Sequence, residues 1–427
     1  MVAGISRRSE RSAPFAGRNG RRVSAVCSAL GALAVLSASL APSASAADAQ
    51  SQQWYLSAMK ADEMWKVSTG KGVKVAVVDT GVNPNTPSLK GQVLVGEVSK
   101  AVDYKATDDY LGHGTSMAEL IAGTGAGDGL KGLAPEAKIV PYRIALRGMN
   151  SEAEKKKAPN PAAVIRAAAD TDIKIISMSF GIDVDFPEMR AAIEYAQSKG
   201  KLMIASTGNK AEEDNFIGYP AAYPYVVGVA ASDESGKVGK FSEYGNYVDL
   251  AAPGLDVPTW CDETFRSYCV GIGGTSMATA ITSASAALIW SAHPDWTANQ
   301  VLASLIETAG RDWAKDDPST YLGYGLIRPR KVLEDSNFNP GAAGTDPLAK
   351  ENVRGVTGVD TNNSPSPSAS TSSQPPKNTS GGQTSAAGSS SDSSDDNTTM
   401  WVALGAAAAV LVIGGGAFAV VRSRRGA

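Results

Sequence analysis

Short apolar runs of strand length alternate with segments of helical pattern between about Gln52 and Phe338, and this alternation constrains the fold more than any other feature. The strand candidates, rich in Val and Ile, are 73–78, 138–145, 173–180, 202–206, 226–231 and 248–252. The helical candidates are 114–123, 162–169, 187–199, 276–292 and 297–309. Strands that are apolar throughout and separated by helices indicate a mostly parallel sheet covered on both faces. We therefore predict an α/β domain over residues 72–338, with its ligand site at the carboxyl ends of the strands.

The first 46 residues have the pattern of a secretory signal peptide. Six arginines precede an apolar run from Val23 to Pro42, and the small residues Ala44–Ala46 then form a cleavage site. A retained membrane anchor is the alternative, but the run is rich in Ala and Ser and ends in a cleavable tripeptide. Removal of residues 1–46 would leave residues 47–71 as an N-terminal extension.

The C-terminal region predicts a membrane anchor on a flexible stalk. Residues 339–399 lack aromatic side chains and are mostly small or polar, so they cannot bury enough surface to offset their ordering entropy. The span 400–421 contains an uncharged run, Trp401–Val421, which as a helix is roughly 31 Å long, about one bilayer core. Three arginines in the tail 422–427 favour a cytoplasmic tail. We expect a single-pass type I protein of the cell membrane with its domain extracytoplasmic.

Charge and composition disfavour several classes of function. Residues 1–46 hold six Arg and one Glu, so their removal leaves 34 basic and 42 acidic residues, a net charge of −8. Such a charge argues against nucleic acid as a partner. Three cysteines are too few for a disulfide scaffold or a multi-cysteine zinc site, and two histidines are too few for a histidine-rich metal site.

Three residues that could carry chemistry stand beside glycines. Asp79 closes the first strand candidate, His113 lies at the start of a helix, and Ser276 lies where a glycine-rich loop meets a long apolar helix. Each has a structural explanation when taken alone, namely a turn, a structural histidine and a helix N-cap. His293 lies about 17 residues, or roughly 25 Å, beyond Ser276 on the same helix, so it cannot act on that serine. We interpret it as a cation that helps to close the helix C-terminus.

Taken together, the three segments resemble the motif set of the subtilisin-like serine peptidases. In the chain order Asp, His, Ser they read VDTG (78–81), GHGT (112–115) and GGTSMA (273–278). The resemblance implies a subtilisin-like three-layer fold and hydrolysis of peptide bonds through an acyl-enzyme. Ser276 would be the nucleophile, His113 the base that takes its proton, and Asp79 the carboxylate that orients the His113 ring.

Further matches cover residues 72 to about 332 and add to the implied site. By the resemblance, the Asn209 side chain and the Ser276 backbone N–H form an oxyanion hole. An extended substrate would pair backbone to backbone with Ser179, Phe180 and Gly181. The implied reaction requires no cofactor. Subtilisin-like folds often bind calcium through loop oxygens without a compact motif, so a structural calcium ion is neither predicted nor excluded.

The layout of the chain narrows the resemblance. An export signal, a peptidase domain, a stalk and a terminal membrane helix are together similar to the mycosins, membrane-anchored peptidases that accompany the type VII secretion systems of actinobacteria. The segments 52–56 and 64–65 also resemble the mycosin sequence that leads into the peptidase domain. About 32 residues separate Ala46 from Asp79, too few for an independently folding inhibitory pro-domain. By the resemblance, this segment wraps the domain instead.

Three features of the chain depart from the family pattern or are not explained by it. Ala280 stands four residues after Ser276, where the family usually has proline, but alanine is also a good helix former. Cys261 and Cys269 remain after removal of the signal peptide, fewer than mycosins often carry, and in an exported protein we expect them to pair and to stiffen the approach to Ser276. The charged stretch 151–157 is a candidate contact or self-cleavage loop, although such runs are more often solvated surface.

The leading hypothesis is a membrane-tethered serine endopeptidase, associated with a type VII secretion system and acting on a protein or peptide substrate. One alternative is a scaffold component of the secretion complex whose peptidase activity is dispensable. Another is a generic anchored subtilisin without a secretion partner. A nutritional protease is disfavoured because a degradative enzyme gains from diffusing away. The sequence does not indicate a preference at the cleaved bond.

Overall fold

Six parallel strands form the centre of the fold in the computed structural model, which describes residues 49–353. They are β1 (Lys74–Asp79), β2 (Lys138–Arg143), β3 (Ile175–Met178), β4 (Leu202–Ser206), β5 (Val226–Ser232) and β6 (Leu250–Pro253). Across the sheet they lie in the order β2-β1-β3-β4-β5-β6. The chain leaves β1 for β2 on one side and returns to β3 on the other, so a crevice opens beyond the carboxyl ends of β1 and β3.

Helices connect and flank these strands in the described part of the chain. They are α1 (Trp54–Ala58), α2 (Ala61–Met64), α3 (His113–Ala122), α4 (Glu152–Lys157), α5 (Pro161–Ala169), α6 (Pro187–Ser198), α7 (Thr275–Ala292), α8 (Ala298–Thr308), α9 (Pro329–Leu333) and α10 (Ala349–Val353). Two 3₁₀ turns lie at Val95–Glu97 and Ala126–Asp128. A separate antiparallel hairpin consists of β7 (Thr259–Trp260) and β8 (Tyr268–Cys269).

The sheet is covered on both faces, as its apolar strands predict. Successive strand residues point to opposite faces, so Val75 and Val77 of β1 pack with α3, α7 and α8, whereas Ala76 and Val78 pack with α5 and α6. This arrangement confirms the predicted three-layer α/β fold with a parallel central sheet. The observed strands and main helices begin and end within two residues of the predicted bounds.

Helix α7 is buried along nearly its whole length although it is rich in Ser and Thr. The hydroxyls of Thr279, Thr282 and Ser285 donate to carbonyl oxygens four residues earlier at 2.8–2.9 Å. Because these donors are satisfied within the helix, they can be buried at little cost. Within residues 49–353, neither α7 nor any other helix combines the length and apolar character that a membrane span needs.

The segment before β1 packs along the domain, as the resemblance implied. Tyr55 and Met64 are buried in the same core as α7. The Trp54 indole N–H donates to Leu255 O at 2.9 Å, and the Ser68 hydroxyl donates to Leu288 O at 2.7 Å. Residues 49–71 are therefore part of the domain rather than a free extension.

The segment 339–353 corrects the predicted boundary of the stalk. Leu348 is buried in the main core, and Asn352 Oδ1 accepts from the Tyr225 backbone N–H at 2.8 Å. The absence of aromatic residues predicted a stalk from residue 339. The buried Leu348 side chain and the hydrogen bond of Asn352 instead hold the segment on the domain. The predicted signal peptide, the stalk beyond residue 353, the membrane span and the basic tail lie outside the described residues.

The charged stretch 151–157 is a capped helix, α4, rather than a loop. The Ser151 hydroxyl accepts from the Glu154 backbone N–H, and acidic residues precede the lysines in the orientation that the helix dipole favours. Glu154 also pairs with Arg143 at 3.1 Å, and the Arg143 side chain is almost fully buried. The charge pattern thus forms a short helix that is attached to β2.

Leu348→Ala tests whether the segment 339–353 contributes to the domain. Removal of this buried side chain should lower the free energy of unfolding by about 2 kcal/mol. Val353 is 84% exposed in the same segment, so Val353→Ala should change it by less than about 0.5 kcal/mol. Urea unfolding of the purified protein measures both variants. Equal midpoints for Leu348→Ala and the wild type would contradict the packing described here.

Candidate active site

Asp79 and His113 are joined by a hydrogen bond in the crevice beside β1. Asp79, the last residue of β1, is fully buried, and its Oδ1 lies 2.7 Å from His113 Nδ1. An ionised carboxylate can only accept, so Nδ1 carries the proton and Nε2 is left as the basic nitrogen of the neutral ring. The close approach depends on Gly114, because a Cβ there would lie 2.1 Å from Gly81 O.

A second carboxylate, Asp109, organises the start of the helix that carries His113. Asp109 is buried and accepts from the backbone N–H groups of Leu111, Gly112 and Thr115 at 2.8–3.1 Å. The hydroxyl of Thr80 donates to Asp109 at 2.7 Å and lies 3.2 Å from Asp79 Oδ1. Asp109 therefore links the end of β1 to the first turn of α3. Asp109 was not among the predicted site residues, and its one signal in the sequence is a carboxylate four residues before His113.

The two histidines have opposite electrostatic surroundings. Burial lowers the pKa of His113, but the Asp79 charge, the hydrogen bond to Asp79 and the Asp109 charge together leave that pKa above its ordinary value of 6.5. Burial lowers the pKa of His293, which has no compensating carboxylate, and its ring stacks on Trp296. His293 does lie at the C-cap of α7, where its backbone N–H donates to Ile289 O. The lowered pKa disfavours the charged form of the ring and so argues against our interpretation of His293 as a cation.

Ser276 is the second residue of α7 and lies against the strand edge predicted to bind substrate. Its hydroxyl donates to Ser179 O at 3.4 Å, and the Ser179 hydroxyl donates to Ser276 O at 3.3 Å. Among the hydrogen bonds of the described residues, none joins Ser276 to His113. A long or absent bond at this position is common without substrate. The N-cap of α7 is Gly274, so Ser276 does not serve as the cap.

The Asn209 amide is oriented by the residue next to Ser276. Asn209 Oδ1 accepts from both the backbone N–H and the hydroxyl of Thr275 at 2.9 Å. The Thr275 hydroxyl in turn accepts from the Gly208 backbone N–H at 3.2 Å. With Oδ1 held in this way, Nδ2 is the end of the amide that is left to donate, and it lies near Gly274, the N-cap of α7. The Ser276 N–H, in the first turn of α7, has no intrahelical acceptor. Thr275 was not among the predicted site residues.

The edge Ser179–Gly181 continues from β3 into the crevice. Ser179 and Phe180 are both buried, and the Phe180 side chain packs in the core with α5 and α6. Gly181 faces open space. This segment therefore presents backbone rather than side chains to a bound chain, as the predicted strand addition requires.

The disulfide forms as predicted, but its hairpin packs on the histidine helix. Cys261 and Cys269 are bonded and close the β7–β8 hairpin. The Trp260 backbone N–H donates to the Ser116 hydroxyl at 2.9 Å, and the Tyr268 hydroxyl donates to Glu119 at 2.7 Å. Burial raises the pKa of Glu119 to about 7. The disulfide thus stiffens a hairpin that packs on α3. Its contacts with α3 are more direct than any effect on the approach to Ser276, which was the predicted role.

Residues 49–353 contain no cluster of three or more His, Cys, Asp or Glu side chains with the geometry of a metal site. The crevice brings several reactive groups together. It holds a hydroxyl, an imidazole oriented by a carboxylate, a backbone N–H at the start of a helix and the side-chain amide of Asn209. Such a set can take a proton from a hydroxyl and stabilise an oxyanion during acyl transfer.

Comparison with known proteins connects this geometry with one family. A profile of the subtilase family matches residues 70–325. Thermitase from Thermoactinomyces vulgaris is 34% identical over 280 residues, which are 64% of this chain and 95% of thermitase. The major intracellular serine protease of Bacillus subtilis is 33% identical over 282 residues, which are 63% of this chain and 85% of that protein.

Solved structures show the same similarity in three dimensions. The MycP3 protease from the type VII (ESX-3) secretion system is 30% identical, covers 65% of this chain and 87% of its own, and has a TM-score of 0.54. MycP1 with its N-terminal propeptide removed is 27% identical, covers 67% of this chain and 98% of its own, and has a TM-score of 0.55. This chain is therefore similar both to bacterial subtilases such as thermitase and to the mycosins MycP1 and MycP3.

An NMR titration of the two imidazole rings tests the electrostatics of the crevice. We expect His113 to titrate above 6.5 and His293 below it, because carboxylates face only His113. Asp109→Asn should lower the pKa of His113 and leave that of His293 unchanged. His293→Asn assigns the signals. The reverse order of the two pKa values would show that the ring of His113 does not lie in the field described here.

Proposed function

The chain belongs to the subtilase family of serine endopeptidases, and on that premise we propose that Asp79, His113 and Ser276 form its catalytic triad. The observation that carries the proposal is the 2.7 Å hydrogen bond from His113 Nδ1 to the buried Asp79 carboxylate. That bond sets the ring tautomer that a general base at Nε2 needs. In this proposal the hydroxyl of Ser276 leaves Ser179 O, to which it now donates at 3.4 Å, and turns about its Cα–Cβ bond towards the His113 ring.

The reaction follows from the roles of these groups. Nε2 of His113 takes the Ser276 proton as Oγ attacks the carbonyl carbon of the cleaved bond. The protonated ring then delivers that proton to the leaving amine, which leaves an acyl-enzyme. A water molecule then attacks the acyl-enzyme while Nε2 of His113 takes its proton. The same proton returns to Oγ as the acid product leaves, and Ser276 is restored. Asp79 stabilises the ring while it is charged.

Asn209 and the N–H of Ser276 stabilise the tetrahedral oxyanion. The Thr275 contacts to Asn209 Oδ1 support this role, because they leave Nδ2 as the free end of the amide. Loss of such a side-chain donor costs about 3 kcal/mol of transition-state stabilisation, a magnitude that was measured on a subtilisin. The backbone of Ser179, Phe180 and Gly181 holds the substrate as an added strand.

Labelling with a fluorophosphonate, followed by intact-protein mass spectrometry, tests the triad. The purified wild-type protein should gain one adduct and Ser276→Ala none. Asp79→Asn should react about 10⁴-fold more slowly, because its ring takes the wrong tautomer. The wild-type rate should fall as the pH drops through the raised pKa of His113, since a protonated ring cannot act as a base. A folded wild type that gains no adduct would contradict the proposed activity.

The finer part of the proposal is a tethered peptidase that serves a type VII secretion system. The similarity to MycP3 and MycP1 supports it, together with the predicted signal peptide and the uncharged run 401–421. In this proposal the single span anchors the chain in the cell membrane and the domain acts on its extracytoplasmic side. A scaffold role, with dispensable activity, is the alternative that the mycosin similarity also favours.

Complementation of a deletion strain separates the two roles. If cleavage is the essential function, Ser276→Ala should fail to restore export of the secretion-system substrates, while the wild type restores it. If the domain is mainly a scaffold, Ser276→Ala should restore export as well as the wild type does. Normal export in the deletion strain itself would contradict both roles. Immunoblotting for the variant in the membrane fraction controls for its abundance.

A further inference from the structure

Glu243 lies buried beneath the loop that carries Asn209, and the mechanism above gives it no role. Its side chain is fully buried. Its backbone N–H donates to Gly208 O at 3.0 Å, and its carboxyl Oε1 accepts from the Lys210 backbone N–H at 3.1 Å. These two hydrogen bonds lie on either side of Asn209 in the sequence. Glu243 thus attaches the backbone of the oxyanion loop, Gly208–Lys210, to the interior.

The Glu243 carboxyl also packs directly against that loop. A Cβ on Gly208 would lie 2.0 Å from Glu243 Oε2, and a Cβ on Gly218 would lie 3.4 Å from it. Gly208 has a φ of +121°, a conformation that favours glycine. Because no side chain separates the carboxyl from the backbone of Gly208, a shift of one moves the other, and Asn209 is the next residue.

Asn209 is therefore held from two directions. Thr275 fixes the outer end of its side chain through Oδ1, and Glu243 fixes the backbone on which that side chain stands. An oxyanion donor is effective only when its position is set before the reaction, since a displacement of about 1 Å can cost roughly 100-fold in rate.

We propose that Glu243 is a positioning residue for the oxyanion donor Asn209, and that its ionisation weakens the oxyanion hole. The proposal rests on the proposed function, because it assigns a role within the same site. In its neutral form the carboxyl accepts from Lys210 and carries no charge. In its ionised form it puts a negative charge beneath the loop where the substrate oxygen also becomes negative, and like charges repel.

The surroundings of Glu243 place this ionisation near neutral pH. Burial raises the pKa of Glu243 to about 7, although the Lys210 N–H and the Lys210 charge lower it. Asp214 and Glu213 raise it, and Tyr247 faces it as a neutral phenol whose own pKa is raised. Within the described residues, Glu243 Oε2 has no hydrogen-bond partner. The neutral form thus predominates below about pH 7 and the charged form above it.

The same shift has a defined sign for stability. The folded state holds a proton on Glu243 at pH values where the unfolded chain, with an ordinary pKa of 4.5, has lost it. Its contribution to stability is therefore fully present below about pH 4.5 and is lost as the pH rises through about 7. Glu243→Gln should lose less stability than the wild type between pH 6 and pH 8.

The maximal rate of fluorophosphonate labelling at Ser276 and its half-saturating concentration test the proposal, because the probe's oxygen occupies the oxyanion hole in the adduct. Glu243→Ala should lower the maximal rate about 10- to 100-fold and change the half-saturating concentration by less than about twofold. Glu243→Gln keeps an acceptor for Lys210 and should stay within about threefold of the wild type at pH 6.5. Glu234→Gln is the matched control, since it removes an exposed carboxylate that is not among the groups acting on Glu243 and should keep the wild-type rate and pH profile.

The pH profile distinguishes positioning from general support of the fold. The wild-type rate should rise through the pKa of His113 and fall as Glu243 ionises, whereas Glu243→Gln should keep the rise and lose the fall. Superimposable profiles, or an unchanged maximal rate in folded Glu243→Ala, would overturn the proposal while leaving the triad intact. A wild type that is not labelled would overturn the proposed function instead. Urea midpoints at pH 6 and pH 8 show whether each variant is folded.

Discussion

The hydrogen bond between the buried Asp79 carboxylate and the His113 ring is the interaction on which the rest of the site depends. It requires a carboxylate at the very end of β1, a helix that starts beside it, and glycines that allow the two backbones to approach. The strand order places that end of β1 at a crevice, because the direction in which the chain winds across the parallel sheet changes at β1. Asp109 supplies the second of these requirements, because it collects the N–H groups at the start of α3.

The proposed donors for the oxyanion are held by a separate set of contacts, at the loop that carries Asn209 and the start of α7. Thr275 connects the start of α7 to the side chain of Asn209, and Glu243 connects the interior to the loop on both sides of Asn209. Two buried carboxyls, Asp79 and Glu243, thus support the two halves of the site. Their electrostatic requirements are opposite. A negative charge on Asp79 stabilises a protonated His113 ring, whereas a negative charge on Glu243 would destabilise an oxyanion held beside Asn209.

Much of the fold and the pairing of Asp79 with His113 were predictable from the sequence. The strands are apolar on both faces, so their position and parallel arrangement follow from local pattern. The departures share one cause, which is that long-range contacts override local composition. Segment 339–353 is polar but one leucine inserts into the core, and segment 151–157 is charged but is attached to a buried arginine. His293 lies at a helix C-terminus, but its partial burial lowers the pKa of its ring.

The sequence by itself determined the family, the α/β architecture, the order Asp79, His113, Ser276 and the cysteine pair, because each depends on residue type at a given place along the chain. Only the tertiary structure decided which groups support those residues. Asp109, Thr275 and Glu243 have unremarkable local sequences, and their roles arise where β1 meets α3 and where the Asn209 loop meets α7 and the interior. Hydrogen bonding and desolvation act over distances in space, and sequence separation does not report those distances until the chain is folded.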